Sequence, residues 1–501
     1  MGTLLRYASH ASVRRTVVPK AERGFGKLTF LPLLIALALR LASEPTADLS
    51  YVVLAAYAAL GRPHAIRAFI FSWLFTMINL GIAPEASLGA AGRYAILMAA
   101  IFSVVMYRPD VRRPLDGFMS GTIILSIFFI VHSVLFSSIV DVSLLKCISW
   151  TLTVMVLFSI WIGFSDWKRE RMGNELFWML VATLVFSLPL MVSSVGYLSN
   201  KTGFQGIFNQ PQVLGLTISL LTAWSTTRFL SQRQPSWTLV GVMIAGLVGI
   251  LLSEARVAGL AMFGGIVGAI ALSAFVSGRR ILDVMPGLRS WRFWSMVCLA
   301  VAGMIIFLPT LVSLIDHYLT KSGRANVDGL ADAYNTSRGI LIRPMIENIS
   351  RYPFSGIGFG LDSDPIMMEI VRDPFMGLPL SAAVEKGVTP LAILEETGVF
   401  GLFLVFIWVF RLVQVTARGG PVPLSVCLTA LLINLAEASM FSAGGQGLLI
   451  IGLFAWSYAS GRATLPQAGS RSGSTPMGRA PAFVGRPFEG AGPGGSIPGR
   501  R

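Results

Sequence analysis

Four stretches of this chain gather side chains able to do chemistry. "LLSEARVAGL" sets Arg256 behind Ser253 and Glu254 at the start of an apolar run, and "NTSRGILIRPMIENISRYPFSGIGFG" carries Arg338, Arg343 and Arg351 ahead of Gly356, Gly358 and Gly360. "AVEKGVTPLAILEETG" supplies Glu385, Glu395 and Glu396, and "GFQGIFNQPQVLG" places Asn209, Gln210 and Gln212 at the mouth of another apolar run. A guanidinium is a planar fork that stays charged at a dehydrated membrane edge, and it suits a diphosphate. When a membrane-bound diphosphate departs in a group transfer, such cations stabilise the developing charge. A carboxylate can serve as a general acid or base, and an amide both donates and accepts hydrogen bonds. Each group also has a plainer reading. Arg256 can snorkel or pair with a carboxylate, Asn209 can cap a helix that starts near Pro211, and Glu395 and Glu396 can favour a helix start.

Other chemistries fit less well. The four histidines (His10, His64, His132, His317) are scattered, and no HExxH or paired Cys/His spacing occurs, so neither a metal nor another cofactor is expected. Asp362 and Asp364 form a D-x-D, but a metal–nucleotide-sugar role would need a cytoplasmic position. The G-x-G-x-G run lacks the strand, helix and acidic residue of a nucleotide-binding unit. It reads as a tight turn that lets backbone approach a substrate. No G-x-S-x-G elbow is present. Cys147, Cys298 and Cys427 lie singly in apolar segments and read as small buried hydrophobes.

Composition dictates the elements that must position these groups. Of 501 residues, 54% are hydrophobic and 13% charged, with a mean hydropathy of +0.69; soluble domains carry about a quarter charged residues. Apolar runs of about 17–25 residues, the span of a bilayer core, recur without the alternation of barrel strands. The expectation is an all-α polytopic integral membrane protein with about 12–14 transmembrane helices. The candidate spans are 28–43, 49–61, 65–82, 93–107, 117–140, 144–163, 174–194, 212–231, 236–252, 257–276, 294–315, 391–415, 421–438 and 443–460. Residues 1–43 read as an uncleaved first helix with a basic leader, not a signal peptide.

The net charge of +15 is spread over short connections, which argues against a nucleic-acid partner. With a cytoplasmic N-terminus, sixteen Lys and Arg residues between Arg62 and Arg418 fall in inner connections, against Arg93, Lys146, Lys201 and Arg256 outside. By the positive-inside rule, both termini are then cytoplasmic. The expected organisation is a basic N-terminus over 1–27, helices over 28–315, a large periplasmic loop over 316–390, and helices over 391–460. A basic tail over 461–501, rich in Gly, Pro, Ser and Arg, is expected to be disordered. Within the loop, Tyr334 to Ile349 has a helical pattern with Ser337 as its cap.

Four elements in order resemble those of the O-antigen ligase and polysaccharide polymerase superfamily, across roughly 30–460. "FNQPQVLG" is similar to its N-P-N-x-hydrophobic element, and "SEARVAGL" to its S-x-S-R-x-x-x-L helix start. "SRGILIRPMIENISRYPFSGIGFG" is similar to its R-x-x-x-W…G-x-G-x-G element, and "LAILEETGVFG" to its L-x-x-L-x-E-x-G element. One departure stands out: nine residues before Glu396, where many ligases carry a histidine, this chain has Gly387, followed by Val388. "AVEKGVTPLAILEETG" looks instead like the exopolysaccharide-production, polymerase-like branch. The resemblance implies a metal-independent glycosyltransferase of the cell inner membrane. Its substrate would be a polyprenyl-diphosphate-linked oligosaccharide, its surroundings membrane lipids, and its further partners a chain-length regulator and export machinery. Arg256 and Arg338 would hold the diphosphate, and Glu385 or Glu396 would act on the acceptor. Asn209, Gln210, Gln212, Arg343 and Arg351 would contact substrate. The rival expectations are a ligase acting on lipid A-core or protein, and a polysaccharide transporter or flippase.

Overall fold

The computed structural model describes residues 28–111, 117–198, 203–306, 330–373, 377–382, 384 and 386–464. Its helices are α1 (Leu31–Ala42), α2 (Glu44–Ala58), α3 (Arg62–Met77), α4 (Gly89–Met106), α5 (Gly117–Phe136), α6 (Val140–Ile162), α7 (Asp166–Ser187) and α8 (Pro211–Ser231). They continue with α9 (Trp237–Leu252), α10 (Arg256–Ser277), the short α11 (Ile281–Val284), α12 (Trp291–Ile306), α13 (Leu330–Arg351), α14 (Thr389–Ala417), α15 (Pro421–Ile433) and α16 (Gly445–Arg462). Every span expected from hydropathy overlaps one of them. Among the described residues, seven are long and apolar enough to cross a membrane, namely α4, α5, α6, α7 with the turn after it, α8, α10 and α14. The chain is thus a mostly helical polytopic membrane protein.

The helices divide by what surrounds them. α8 has the lowest hydropathy of the seven, 1.2, yet 89% of its apolar 18-residue stretch is buried. Its Ser219, Thr222 and Thr227 return their hydroxyl protons to carbonyls three or four residues back, at 2.7–2.8 Å. Small polar side chains satisfied in this way let neighbouring helices approach closely. A Cβ on Gly246 of α9 would collide with Thr222. The outer helices reverse the pattern. On α14, Phe400, Phe403, Phe406 and Phe410 are all exposed, as a lipid-facing stripe should be. On α10, the buried stripe Ala258, Ala261, Gly265 and Ala269 is small, and Gly265 lies directly against Thr429 of α15.

The loop region departs from the all-helical expectation. β1 (Ile370–Arg372) pairs antiparallel with β2 (Pro379–Ala382), with Ile370 opposite Ala382, Val371 opposite Ser381, and a bulge before Arg372. Gly377 at φ +66° helps close the turn, its N–H donating to Asp373 O at 2.9 Å. The described part of α13 already includes Leu330, so Ser337 lies inside the helix and does not cap it.

Candidate functional site

The site is built where α14 breaks. Gly398 sits at φ +67°, ψ −173°, which splits the helix into 389–397 and 399–417. The segment Pro353 to Gly360 enters the break. Val399 N–H donates to Pro353 O, Ile357 N–H to Glu395 O and Gly358 N–H to Glu396 O, each at 3.0 Å. Non-helical backbone at such a depth is tolerated only where protein satisfies it, and here the carbonyls ending the first half-helix find partners in the loop. Gly356, Gly358 and Gly360 all have positive φ, +60°, +116° and +71°. A Cβ on any of them would collide with Glu396 O, Ser137 or Lys146. The glycine run is therefore a turn permitting close backbone approach, and what it approaches is the broken helix. His132 Nε2 of α5 bonds Ser355 O at 2.6 Å and fastens the same segment from the other side.

Two carboxylates and a lysine meet at this junction. Lys386 Nζ lies 2.7 Å from Glu395 Oε2 and 3.0 Å from Glu396 Oε1, and the three residues are only 4%, 0% and 6% exposed. Burial alone would push the Lys386 ammonium down, but Glu396 and Glu395 together outweigh it and hold its pKa above the ordinary value. The remaining oxygens are also engaged. Asn348 Nδ2 of α13 donates to Glu395 Oε1 at 2.7 Å, and Gly360 N–H donates to Glu396 Oε2 at 2.7 Å. The two glutamates differ in what they reach. Glu395 is wholly enclosed, whereas Glu396 lines a cavity of about 200 Å³. Neither sits at a helix start: both end the first half of α14, so the dipole reading is set aside.

Arg93, Lys146 and Lys386 supply the cationic wall of that cavity, and Ser72, Tyr94, Ser149, Thr153 and Ser442 contribute hydroxyls. Arg93 is placed by the first turns of α4, whose start is fixed by Asp48 accepting from Leu88 N–H at 2.8 Å. Its guanidinium passes over Gly444, where a Cβ would collide with Nη1. Lys146 of α6 lays its stem along Gly360 and donates to Gly360 O at 2.6 Å. Residues of β2, among them Ser381, close one side. The sequence reading left out Arg93, Lys146 and Lys386. A signal existed for the first two, because they are half of the four cations that the charge asymmetry left on the cation-poor side.

The other expected residues gather elsewhere at the same end of the bundle. Arg256 opens α10, half-buried, after a turn in which Glu254 is the only non-glycine among the described residues with positive φ, +54°. That turn is bonded to the Asn209 segment: Phe204 N–H donates to Leu252 O at 2.9 Å, and Ala255 packs where Gly215 has no side chain. Asn209 N–H donates to Met77 O at 2.8 Å, while its Oδ1 is buried without a hydrogen bond from the described residues. Asn209 does not cap α8. Gln210 takes the cap position, makes no side-chain capping bond, and is exposed like Gln212. The structure thus joins Arg256 to the Asn209 segment and brings Glu396 to the cavity; Arg256 is not among the described residues lining it.

On α13, Arg343 is exposed and Arg351 pairs with Glu347 at 3.2 Å. Arg338 falls on the same helix, with its side chain outside the described residues. Glu385, residues 1–27 and residues 465–501 also lie outside them. Among the described residues, no three His, Cys, Asp or Glu side chains gather as a metal site. No protein-family model matches this chain, and no curated protein matches it.

Proposed function

We propose that the protein is a metal-independent, inverting glycosyltransferase of the cell inner membrane, polymerising polyprenyl-diphosphate-linked repeat units into exopolysaccharide or O-antigen at the periplasmic face. In this reading about 12–14 helices cross the bilayer, both termini are cytoplasmic, and the cavity opens toward the periplasm. One observation carries it: among the described residues, Glu396 is the one carboxylate presented into a cavity whose other described charged wall residues are the cations Arg93, Lys146 and Lys386. That wall suits an anionic substrate, and its hydroxyls suit a sugar. The acceptor hydroxyl oxygen attacks the anomeric carbon of the donor, and the bond from that carbon to the diphosphate oxygen breaks on the opposite face. Glu396 orients the hydroxyl and takes its proton. Arg93 and Lys146, with Arg256 and Arg338, meet the charge left on the departing polyprenyl diphosphate. Asn209, Gln210, Gln212, Arg343 and Arg351 are assigned to glycan contacts, and Glu385 remains a second candidate for the acceptor side.

The test is a deletion strain supplied with wild type, Glu396→Gln, Arg256→Ala or Arg338→Ala at matched membrane levels, with lipid-linked intermediates sized. Polymerisation predicts single repeat units accumulating on the carrier for the variants and long chains only with wild type. Long chains that form on the carrier but never reach a final acceptor would identify a ligase. Normal glycans from the variants would remove the reading altogether.

A further inference from the structure

The end of the bundle opposite the cavity holds a second, differently built pocket. The turn between α8 and α9 and the segment from Arg279 to Ser290 border a half-open hollow of about 410 Å³, lined by Arg233, Leu282, Asp283, Pro286 and Arg289. The segment is held firmly: Met285 is fully buried, and Gly287 lies against the last carbonyls of α8, Phe229 O and Leu230 O. Arg292 ties the two walls together, donating to Pro235 O and resting 5.8 Å from the rings of both Trp237 and Trp291. Its charge is therefore engaged by the protein. Arg233, Arg279 and Arg280 are not: all three are exposed, and none forms an ion pair with a described carboxylate. Among the described residues Asp283 is the only acid in the lining, and its carboxylate reaches Arg289, at 3.3 Å.

The surroundings say what such a pocket would hold. Trp237 and Trp291 open α9 and α12, Trp294 follows one turn later, and all three are exposed, as aromatic residues at a membrane–water interface are. Ile281 and Leu282 are exposed beside the arginines. A guanidinium pair directly next to exposed aliphatic side chains at that depth matches a ligand with a phosphate head and an apolar tail.

We infer that the pocket between Arg233 and Arg289 seats the phosphate of an anionic phospholipid, with Arg279 and Arg280 supporting its charge and Leu282 receiving its chains. This site is independent of the glycosyltransferase reading. The full chain, purified in detergent, is titrated with phosphatidylglycerol or phosphatidylcholine, and bound lipid is counted by native mass spectrometry. Wild type retains phosphatidylglycerol preferentially, and Arg233→Gln with Arg289→Gln lowers that retention about tenfold while leaving phosphatidylcholine unchanged. Asp283→Asn, which frees Arg289, raises retention and serves as the readout should the double variant fail to fold. Equal retention by wild type and the double variant, or no gain with Asp283→Asn, overturns the site. Displacement of the lipid by millimolar inorganic phosphate alone would show a free-anion site and overturn the lipid assignment.

Discussion

The two ends of the bundle carry cations of the same kinds and use them differently. At the end away from the cavity, Arg62 donates to Tyr107 O, Val104 O and Ser159 O at 3.0, 2.9 and 3.2 Å, gathering the terminal carbonyls of α4 and α6. Arg67 holds Glu175 Oε2 with both arms of its fork, at 2.9 and 2.7 Å. Arg62 thus serves carbonyls that a helix end leaves without intrahelical partners, and Arg67 neutralises a carboxylate inside α7. At the cavity end, Arg93 pairs with no described carboxylate and Lys146 spends one bond on a loop carbonyl. Charge alone does not separate a structural cation from a binding one; the number of donors left over does. By that measure Lys386, with two carboxylates around it, is structural although it lines the cavity, and the Arg233 corner is the exception at the far end.

The sharpest way to break the comparison is to remove Lys386. Lys386→Met leaves two buried carboxylates without their cation, and loss of one member of a buried ion pair costs about 3–5 kcal/mol. The purified variant should melt far below wild type, and adding Glu395→Gln should recover part of the loss. The raised pKa of Lys386 means that its contribution is complete below the unfolded value of 10.5 and is lost only as pH rises through the higher folded one. The loss of melting temperature caused by Lys386→Met should therefore be constant from neutral pH to about pH 9. Arg62→Gln ranks next. It removes three hydrogen bonds to helix-end carbonyls, of which, among the described residues, only Ser159 O keeps another donor, Gly163 N–H at 3.1 Å. The loss is about 2–3 kcal/mol in all, and its effect should appear in melting curves while glycan size in surviving protein is unchanged. A normal melt for Arg62→Gln would mean that Arg62 is as dispensable to the fold as Arg93.

How much of this was written in the primary sequence depends on how far apart the partners lie. Apolar runs report their own helices, so every expected span met an observed helix, seven of which, among the described residues, are long and apolar enough to cross a membrane, and Pro211 marked the start of α8. Contacts across the chain left weaker traces. Lys386 and Glu396 are ten positions apart, and nothing in their spacing showed that the segment before α14 folds back to pair them. The glycine run was recognisable as a turn because its residue type demands one, but its target, the carbonyls of Glu395 and Glu396, lies nearly forty residues downstream. Nothing local distinguished the enclosed Glu395 from the cavity-facing Glu396. Ser337 failed as a cap because α13 continues upstream through Leu330, where the apolar pattern is weak.

A smaller test concerns the ribbon over the cavity. Arg372 Nη1 reaches Asp141 Oδ2 at 2.6 Å, but the two side chains are 41% and 42% exposed. Exposed pairs contribute about 0–1 kcal/mol, so Arg372→Gln should hardly move the melt. If it moved the melt as far as Arg62→Gln does, the ribbon would belong to the structural framework, not to the wall of the site.

Arg93→Gln should have the smallest effect of all on stability, and it sharpens the contrast most. The guanidinium satisfies no described carboxylate, so its removal orphans no acid, and the melting temperature should match wild type within the scatter expected of a surface change, about 0.5 kcal/mol. Function should move the other way. If Arg93 contributes one charge-assisted contact to a diphosphate, about 1.5–3 kcal/mol, glycan output at limiting substrate should fall roughly ten- to a hundredfold. Arg93→Lys should recover only part of that loss, since an ammonium keeps the charge but not the fork. A variant that is both stable and fully active would place Arg93 with the solvated surface and leave Lys146 as the one cavity cation with donors to offer. A variant that unfolds would make Arg93 another Arg62, and the distinction between the two ends would rest on Lys146 alone.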